Sequence, residues 1–177
     1  EEISTYLKKE FGAQISAKHI YMSCGAAASL TVALNAILSG GEEVIVLAPF
    51  FPEYRVFIEG AHGVVKEVMT DENFRPDLTA LDRAITQNTA AVVINSPNNP
   101  TGAVYSEAEL KGLAALLKRK SEEYGKPVYL ISDEPYRELA YGAEVPFPAN
   151  YYDNTIVCYS FSKCLTLAGE RIGYLAV

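Results

Sequence analysis

Thr155-Ile156-Val157-Cys158-Tyr159-Ser160-Phe161-Ser162-Lys163, continued by Cys164-Leu165-Thr166-Leu167-Ala168-Gly169-Glu170 and by Arg171-Ile172-Gly173-Tyr174-Leu175-Ala176-Val177, is the stretch that decides the fold. It reads as an apolar strand over Thr155–Tyr159, a polar connection carrying a lysine, and a second apolar strand over Arg171–Val177. Only about eleven residues lie between Tyr159 and Arg171. That is slightly short for a crossover between parallel strands, which takes a dozen residues or more. The last strand is therefore expected to run antiparallel to its neighbour. The connection also has chemical content. An amine at Lys163 can form a Schiff base with a carbonyl compound, and the hydroxyls of Ser160 and Ser162 with the Arg171 guanidinium can hold a phosphate. A solvated surface lysine is the competing reading.

Upstream, strands and helices alternate. Ile3–Phe11 has apolar residues spaced by four and reads as an amphipathic helix. Ile20–Ser23 is a strand, and from Ala26 a helix follows with Leu30, Leu34, Ile37 and Leu38 on one face and Gly40-Gly41 as its stop. Val44–Ala48 is a buried strand, Tyr54–Gly60 a helix, and Val64–Met69 the third strand. Asp77 caps a helix whose Leu78, Leu81 and Ile85 face inward. Ala90–Ile94 is a strand entering the turn-rich Asn95–Gly102 stretch. Ser106 and Glu109 form a capping box ahead of Leu110, Leu113, Leu116 and Leu117, and Val128–Ser132 is the fifth strand. The expected fold is a three-layer αβα domain around a seven-stranded sheet, mostly parallel, with the last strand as the one antiparallel member. There is no internal repeat, low-complexity segment or linker.

The 177 residues are 49% hydrophobic and 21% charged, enough for one full core. The net charge of −7, without a basic block, argues against a nucleic-acid partner. It also means that any phosphate must be held by a local site. Cys24, Cys158 and Cys164 form no paired motif and suit a reducing compartment. No signal peptide or membrane-length apolar run occurs, so a cytoplasmic protein with no membrane partner is expected. His19 and His62 lack metal-ligand spacing, and neither a nucleophile-elbow nor a P-loop pattern is present. The chain starts on Glu1 without a methionine and stops inside an apolar run, so it is expected to be a piece of a longer polypeptide.

The unusual residues fall at the carboxyl ends of strands, where open α/β sheets bind ligands. Gly25-Ala26-Ala27 opens a helix whose free N–H groups can receive a phosphate, or else simply allows close packing. Phe51 can stack on a ring at the rim, or belong to the core. Asn99 can donate to a phenolate oxygen, although turn formation alone also explains its neighbourhood. Asp133 follows an apolar strand and at that depth requires a cationic partner such as a protonated pyridine nitrogen, unless it is a cap or loop carboxylate. Tyr136 can share the phenolate with Asn99, or pack with its hydroxyl in water.

Asn98-Asn99-Pro100-Thr101-Gly102, Asp133-Glu134-Pro135-Tyr136, Ser160-Phe161-Ser162-Lys163 and Gly169-Glu170-Arg171-Ile172-Gly173-Tyr174 occur in an order and spacing that resembles the fold-type I, class I/II aminotransferases. The resemblance covers essentially the whole chain. It implies the large domain of an enzyme dependent on pyridoxal 5′-phosphate that moves an amino group between an amino acid and a 2-oxo acid, with an aspartate-type donor as one option. By this resemblance Lys163 forms the Schiff base and moves the substrate α-proton. Asp133 pairs with the pyridinium nitrogen, and Tyr136 and Asn99 bind the 3′-oxygen. Ser160 and Arg171 hold the phosphate together with the N–H groups of Gly25, Ala26 and Ala27, with Ser162 as a further contact. Phe51 stacks on the cofactor.

Two features depart from the family pattern. Ala26-Ala27 stands where many relatives carry a hydroxyl or a longer polar side chain. The family also binds the substrate carboxylate through an arginine of a C-terminal small domain, which is expected to lie outside this chain, and borrows residues across an interface, so the full-length enzyme is expected to be a homodimer. A carbon–sulfur lyase, or the ligand-sensing domain of an aminotransferase-like transcription regulator, would share the same cofactor contacts.

Overall fold

The computed structural model describes residues 1–177. Seven strands form one sheet: β1 (Ile20–Ser23), β2 (Glu43–Ala48), β3 (Val64–Met69), β4 (Thr89–Asn95), β5 (Tyr129–Asp133), β6 (Thr155–Ser160) and β7 (Gly173–Ala176). Their order is β1-β7-β6-β5-β4-β2-β3. Neighbours from β3 through β6 run parallel, whereas β7 is antiparallel both to β6 and to β1. The short connection after Tyr159 thus has the expected consequence. The helices are α1 (Glu2–Phe11), α2 (Ala26–Ile37), α3 (Glu53–Gly60), α4 (Leu78–Ala84), α5 (Glu107–Tyr124) and the single turn α6 (Phe161–Cys164).

Local chemistry fixes several helix ends. The Asp77 carboxylate accepts from the N–H groups of Thr79 and Ala80 and starts α4. In α5 the Ser106 hydroxyl accepts from the Glu109 N–H while the Glu109 carboxylate accepts from the Ser106 N–H, a reciprocal cap that satisfies two otherwise free donors. Gly125, at φ +66°, closes the other end in the left-handed region. Three short 3₁₀ turns, Ala17–His19, Arg137–Leu139 and Pro148–Asn150, were not expected from the sequence, because three residues carry too little periodicity to read.

Side-chain alternation along the strands divides the core in two. Ile45, Leu47, Val92, Ile94 and Leu130 face α4 and α5 and pack with Leu81, Leu113 and Leu117. Val44, Val46, Ala91, Val93, Ile131 and Cys158 face α2 and α3 and pack with Leu30, Leu34, Tyr54 and Ile58. A smaller cluster under α1 joins Leu7 and Phe147 to Val157, Tyr159 and Tyr174. Each fully buried leucine or isoleucine contributes about 1.5–3 kcal/mol relative to exposure. Both faces of the sheet are therefore covered, as near-continuous apolar strands require.

Five strands differ from the sequence expectation by one or two residues: β2 starts at Glu43, β4 spans Thr89–Asn95, β5 Tyr129–Asp133, β6 ends at Ser160 and β7 spans Gly173–Ala176. Two of these differences have a clear cause and bear on the site. β5 includes Asp133 as its last residue, because Asp133 is still paired across to Asn95 and Cys158. β7 begins at Gly173 rather than Arg171, since Arg171 takes φ +52° and cannot continue an extended strand.

Gly173 sits where three backbones meet. A Cβ there would overlap the Tyr159 carbonyl oxygen and lie 2.7 Å from the Gly25 Cα. Gly169 has nothing within 4 Å of its Cβ position. Gly173→Ala is expected to lower stability by about 1–3 kcal/mol, read as the midpoint of a urea unfolding curve, whereas Gly169→Ala should stay within about 0.5 kcal/mol of the unsubstituted chain. Equal midpoints for the two variants would contradict the close approach of β7 to the loop after β1.

Candidate active site

Three strand ends aim polar side chains at the α2/α3 face of the sheet. Alternation sets the direction: Asn95 lies two positions beyond Val93, Asp133 two beyond Ile131, and Ser160 two beyond Cys158, and all three reference residues belong to the core under α2 and α3. Asp133 is buried at 6% exposure. Its Oδ2 accepts a 2.6 Å hydrogen bond from the Tyr54 hydroxyl, donated from α3 across 79 positions of sequence. Its Oδ1 has no partner at all. An unmatched carboxylate oxygen at this depth is costly to ionise. Burial accordingly pushes the Asp133 carboxyl up to about 7, with the Tyr54 bond pulling down and the Glu134 charge adding to the rise. Burial and the neighbouring Asp133 hold the Tyr54 hydroxyl well above its ordinary range, so it stays a donor. Phe50 stacks on Tyr54 at 6.4 Å and Phe51 meets it edge-on at 5.7 Å, which fixes its ring.

The lysine turn lies beside this carboxylate. Ser160 caps α6 by accepting from the Ser162 N–H, and its hydroxyl donates to Ser162 Oγ at 2.8 Å. Lys163 is exposed, and its Nζ stands 5.8 Å from the centre of the Tyr136 ring. The Tyr136 hydroxyl is raised above its ordinary range by burial and by Asp133, with the Asn99 amide acting in the opposite sense.

A second group forms where the loop after β1 meets the start of β7. Gly25 takes φ +95° and opens α2 without a side-chain cap, leaving the first N–H groups of the helix without intrahelical partners. The Arg171 guanidinium donates to the Cys24 and Ala168 carbonyls, both at 3.1 Å. A Cβ on Gly25 would come within 3.1 Å of Arg171 Nη2 and 3.5 Å of Ser160 Oγ. Guanidinium, hydroxyl and helix N–H groups thus converge on one small space that only glycine leaves open, a donor set suited to a phosphate.

These groups border one cavity of about 350 Å³. Of the ten residues singled out in the sequence, nine line it: Ala26, Ala27, Phe51, Asn99, Asp133, Tyr136, Ser160, Lys163 and Arg171, with Gly25 behind Arg171. Ser162 lines it as well. A larger groove of about 870 Å³ runs beside α5, between Lys111 and Lys126 and the Asn150–Asn154 loop, and touches none of them.

Three features of the site escaped sequence reasoning. The sequence places Tyr54 in a helix and Asn95 in a turn, and neither position signals its partner. Behind Asp133, on the other face of the sheet, Glu134 and Arg137 form a buried ion pair: Arg137 Nε donates to Glu134 Oε2 at 2.6 Å, and the Ser132 hydroxyl donates to Glu134 Oε1 at 2.8 Å. The Arg137 guanidinium lies 4.8, 5.0 and 4.9 Å from the rings of Phe11, Phe147 and Tyr159. Burial works against its charge, but Glu134, Tyr174 and Glu138 together more than offset this and keep it protonated. The spacing of Glu134 and Arg137 was the available signal, since three positions let the pair close across a single turn.

The model of the aminotransferase class I and II family matches residues 1–177. The chain belongs to that family. It is 36% identical over 177 residues to a probable aspartate aminotransferase of Methanocaldococcus jannaschii, covering 100% of this chain and 46% of that one. An amino transferase structure from Eubacterium rectale superposes with a TM-score of 0.97 at 50% identity, covering 99% of this chain and 45% of the other. The aspartate aminotransferase of Thermus thermophilus with maleate gives 0.93 at 37% identity, covering 99% and 45%. The chain therefore spans a little under half the length of the relatives it matches. Members of the family generally use pyridoxal 5′-phosphate. No helix is long and apolar enough to cross a membrane.

The raised Asp133 carboxyl has a consequence for stability. Its value of about 7 in the folded chain lies above its ordinary 3.8, so between the two the folded chain binds more protons than the unfolded one. Stability from this group is complete below the lower value and is lost as pH rises through the higher one. In the cofactor-free chain, unfolding free energy measured at about pH 5 and about pH 8 should fall with pH more steeply for the unsubstituted protein than for Asp133→Asn. Parallel pH profiles would show that Asp133 is not the titrating group.

Proposed function

We propose that this chain is the cofactor-holding part of an aminotransferase that exchanges an amino group between an amino acid and a 2-oxo acid with the aid of pyridoxal 5′-phosphate. The observation that carries this is the meeting of three unlike groups in one cavity: the Lys163 amine, the unpartnered Asp133 Oδ1, and the cradle formed by Gly25, Ser160 and Arg171. The residues fit the cofactor. A buried carboxylate oxygen without a donor matches a protonated ring nitrogen, and a guanidinium with free helix N–H groups matches a phosphate.

When bound, pyridoxal 5′-phosphate supplies a protonated ring that takes up the electron pair left by a departing substrate α-proton. Every other function falls to the chain. Asp133 accepts from the ring nitrogen and stays ionised opposite that positive charge, while Tyr54 holds its second oxygen so that the first cannot turn away. Asn99 and Tyr136 donate to the ring oxygen. Arg171, Ser160 and the N–H groups at the start of α2 would hold the phosphate, and Phe51 would supply an aromatic contact to the ring. With the ring held at these points, the Lys163 amine would be the group that meets the aldehyde end of the cofactor and that moves the substrate α-proton. Ala26 and Ala27 offer no hydroxyl, so the α2 end contributes backbone donors only.

The aspartate-type donor is supported by the names of the Methanocaldococcus and Thermus relatives. Lys163 and Arg171 are exposed on the open side of the cavity. In this proposal that side is closed, and the substrate carboxylate bound, by the remainder of the full-length protein and a second copy of it.

Adding pyridoxal 5′-phosphate to the purified chain, reducing with borohydride and mapping the peptides should place one adduct on Lys163. Adducts spread over surface lysines, or none, would overturn the assignment. In the full-length protein, Asp133→Ala is expected to slow turnover about a hundredfold or more while leaving the thermal midpoint close to that of the unsubstituted enzyme. A loss of folding as large as the loss of rate would make Asp133 a structural residue.

A further inference from the structure

Asn95, the last residue of β4, borders the cavity and is 4% exposed. Both ends of its amide are engaged. Nδ2 donates to the backbone carbonyl of Asp133 at 2.8 Å, and Oδ1 accepts from the backbone N–H of Asn99 at 2.6 Å. The partners fix which end is which, since a carbonyl can only accept and an N–H can only donate. Strand pairing between β4 and β5 ends at Asn95 opposite Asp133. Beyond that point one chain turns through Glu134 and Pro135 towards Tyr136, and the other loops through Ser96 to Gly102. The amide of Asn95 spans the place where these paths separate.

We propose that Asn95 is a positioning residue: a strut that sets the separation between Asp133 and Asn99, the residues that would meet the ring nitrogen and the ring oxygen of the cofactor. The inference rests on the cofactor assignment made above. Neither bond uses the side chain that would meet the ring, so Asn95 acts through the backbones of its neighbours. The chemistry restricts the position to a short primary amide. A carboxylate cannot donate to the Asp133 carbonyl, a leucine can neither donate nor accept, and a serine hydroxyl is too short to reach both partners. A misplacement of even a few tenths of an ångström matters at a site whose function is orientation.

The test uses the chain loaded with pyridoxal 5′-phosphate and reads two properties besides turnover: the dissociation constant, and the pH midpoint of the visible absorbance of the bound cofactor. Asn95→Leu should weaken binding about tenfold, the order expected for disturbing one buried polar contact. It should also raise the midpoint by about half a pH unit or more, because an Asn99 that is no longer held donates less well to the ring oxygen. In an Asn99→Ala background the same substitution should move the midpoint less than half as far, the non-additivity of residues acting through one another. Asn95→Ser, smaller and still polar, supplies the measurement should the leucine variant not fold. An unchanged midpoint accompanied only by a lower melting temperature would overturn the proposal, as would an equal shift with and without the Asn99 side chain. Failure of the unsubstituted chain to bind the cofactor at Lys163 would instead strike at the cofactor assignment itself.

Discussion

A carboxylate held under the rim of a sheet, with one oxygen tied and the other left without a partner, is the constraint around which the rest is arranged. Asp133 reaches that depth because it is the final residue of β5 and shares a face with Ile131. The Tyr54 bond then removes its freedom to rotate. A group in this state is unfavourable for the folded chain by itself and becomes favourable when a cation faces it. Local instability of this kind belongs to sites whose chemistry needs a fixed charge, and the well-packed leucine layers on both faces of the sheet supply the stability that tolerates it.

The antiparallel β7 contributes in another way. Because it enters the sheet from the opposite end, its first residue lies at the same rim as the last residues of β1 and β6. A parallel strand in that place would begin at the far edge and carry Arg171 away from Ser160. The short connection thus brings the guanidinium and the lysine to one side of the sheet, and Gly173 lets β7 come close enough to the Gly25 turn for Arg171 to reach the Cys24 carbonyl.

The sequence made the fold class legible because the signals involved are local. Strand runs, Asp77 and Ser106 as caps, and the length of the last connection are all read within a few residues. Nine residues lining the cavity were legible for a similar reason: each lies in or beside a loop that borders an apolar strand run, where an unusual side chain has nowhere to go but the rim. What stayed hidden depends on distances that no short window contains. Tyr54 is linked to Asp133 only once α3 has been laid against the sheet. The place of β2 between β4 and β3 follows no local rule. Asn95 has an ordinary turn composition around it, and its two bonds depend on which way its amide points. The Arg137 cage draws rings from α1, from the loop before β6 and from β6 itself, so no single segment announces it.

Asp133 and Glu134 are adjacent in sequence, yet the pleat sends them to opposite sides of the sheet. One carboxylate is answered inside the protein by Arg137 and its three aromatic rings. The other is answered by whatever enters the cavity. The sheet thereby sets two like charges on separate faces, where Glu134 still raises the Asp133 carboxyl, and it gives the dipeptide a direction. Glu-Asp in place of Asp-Glu would have the same composition and net charge, but it would push the longer acid into the space sized for the shorter one and leave the guanidinium out of reach of its partner. The order of two neighbouring letters, more than their identity, is what assigns one acid to the framework and the other to the cavity.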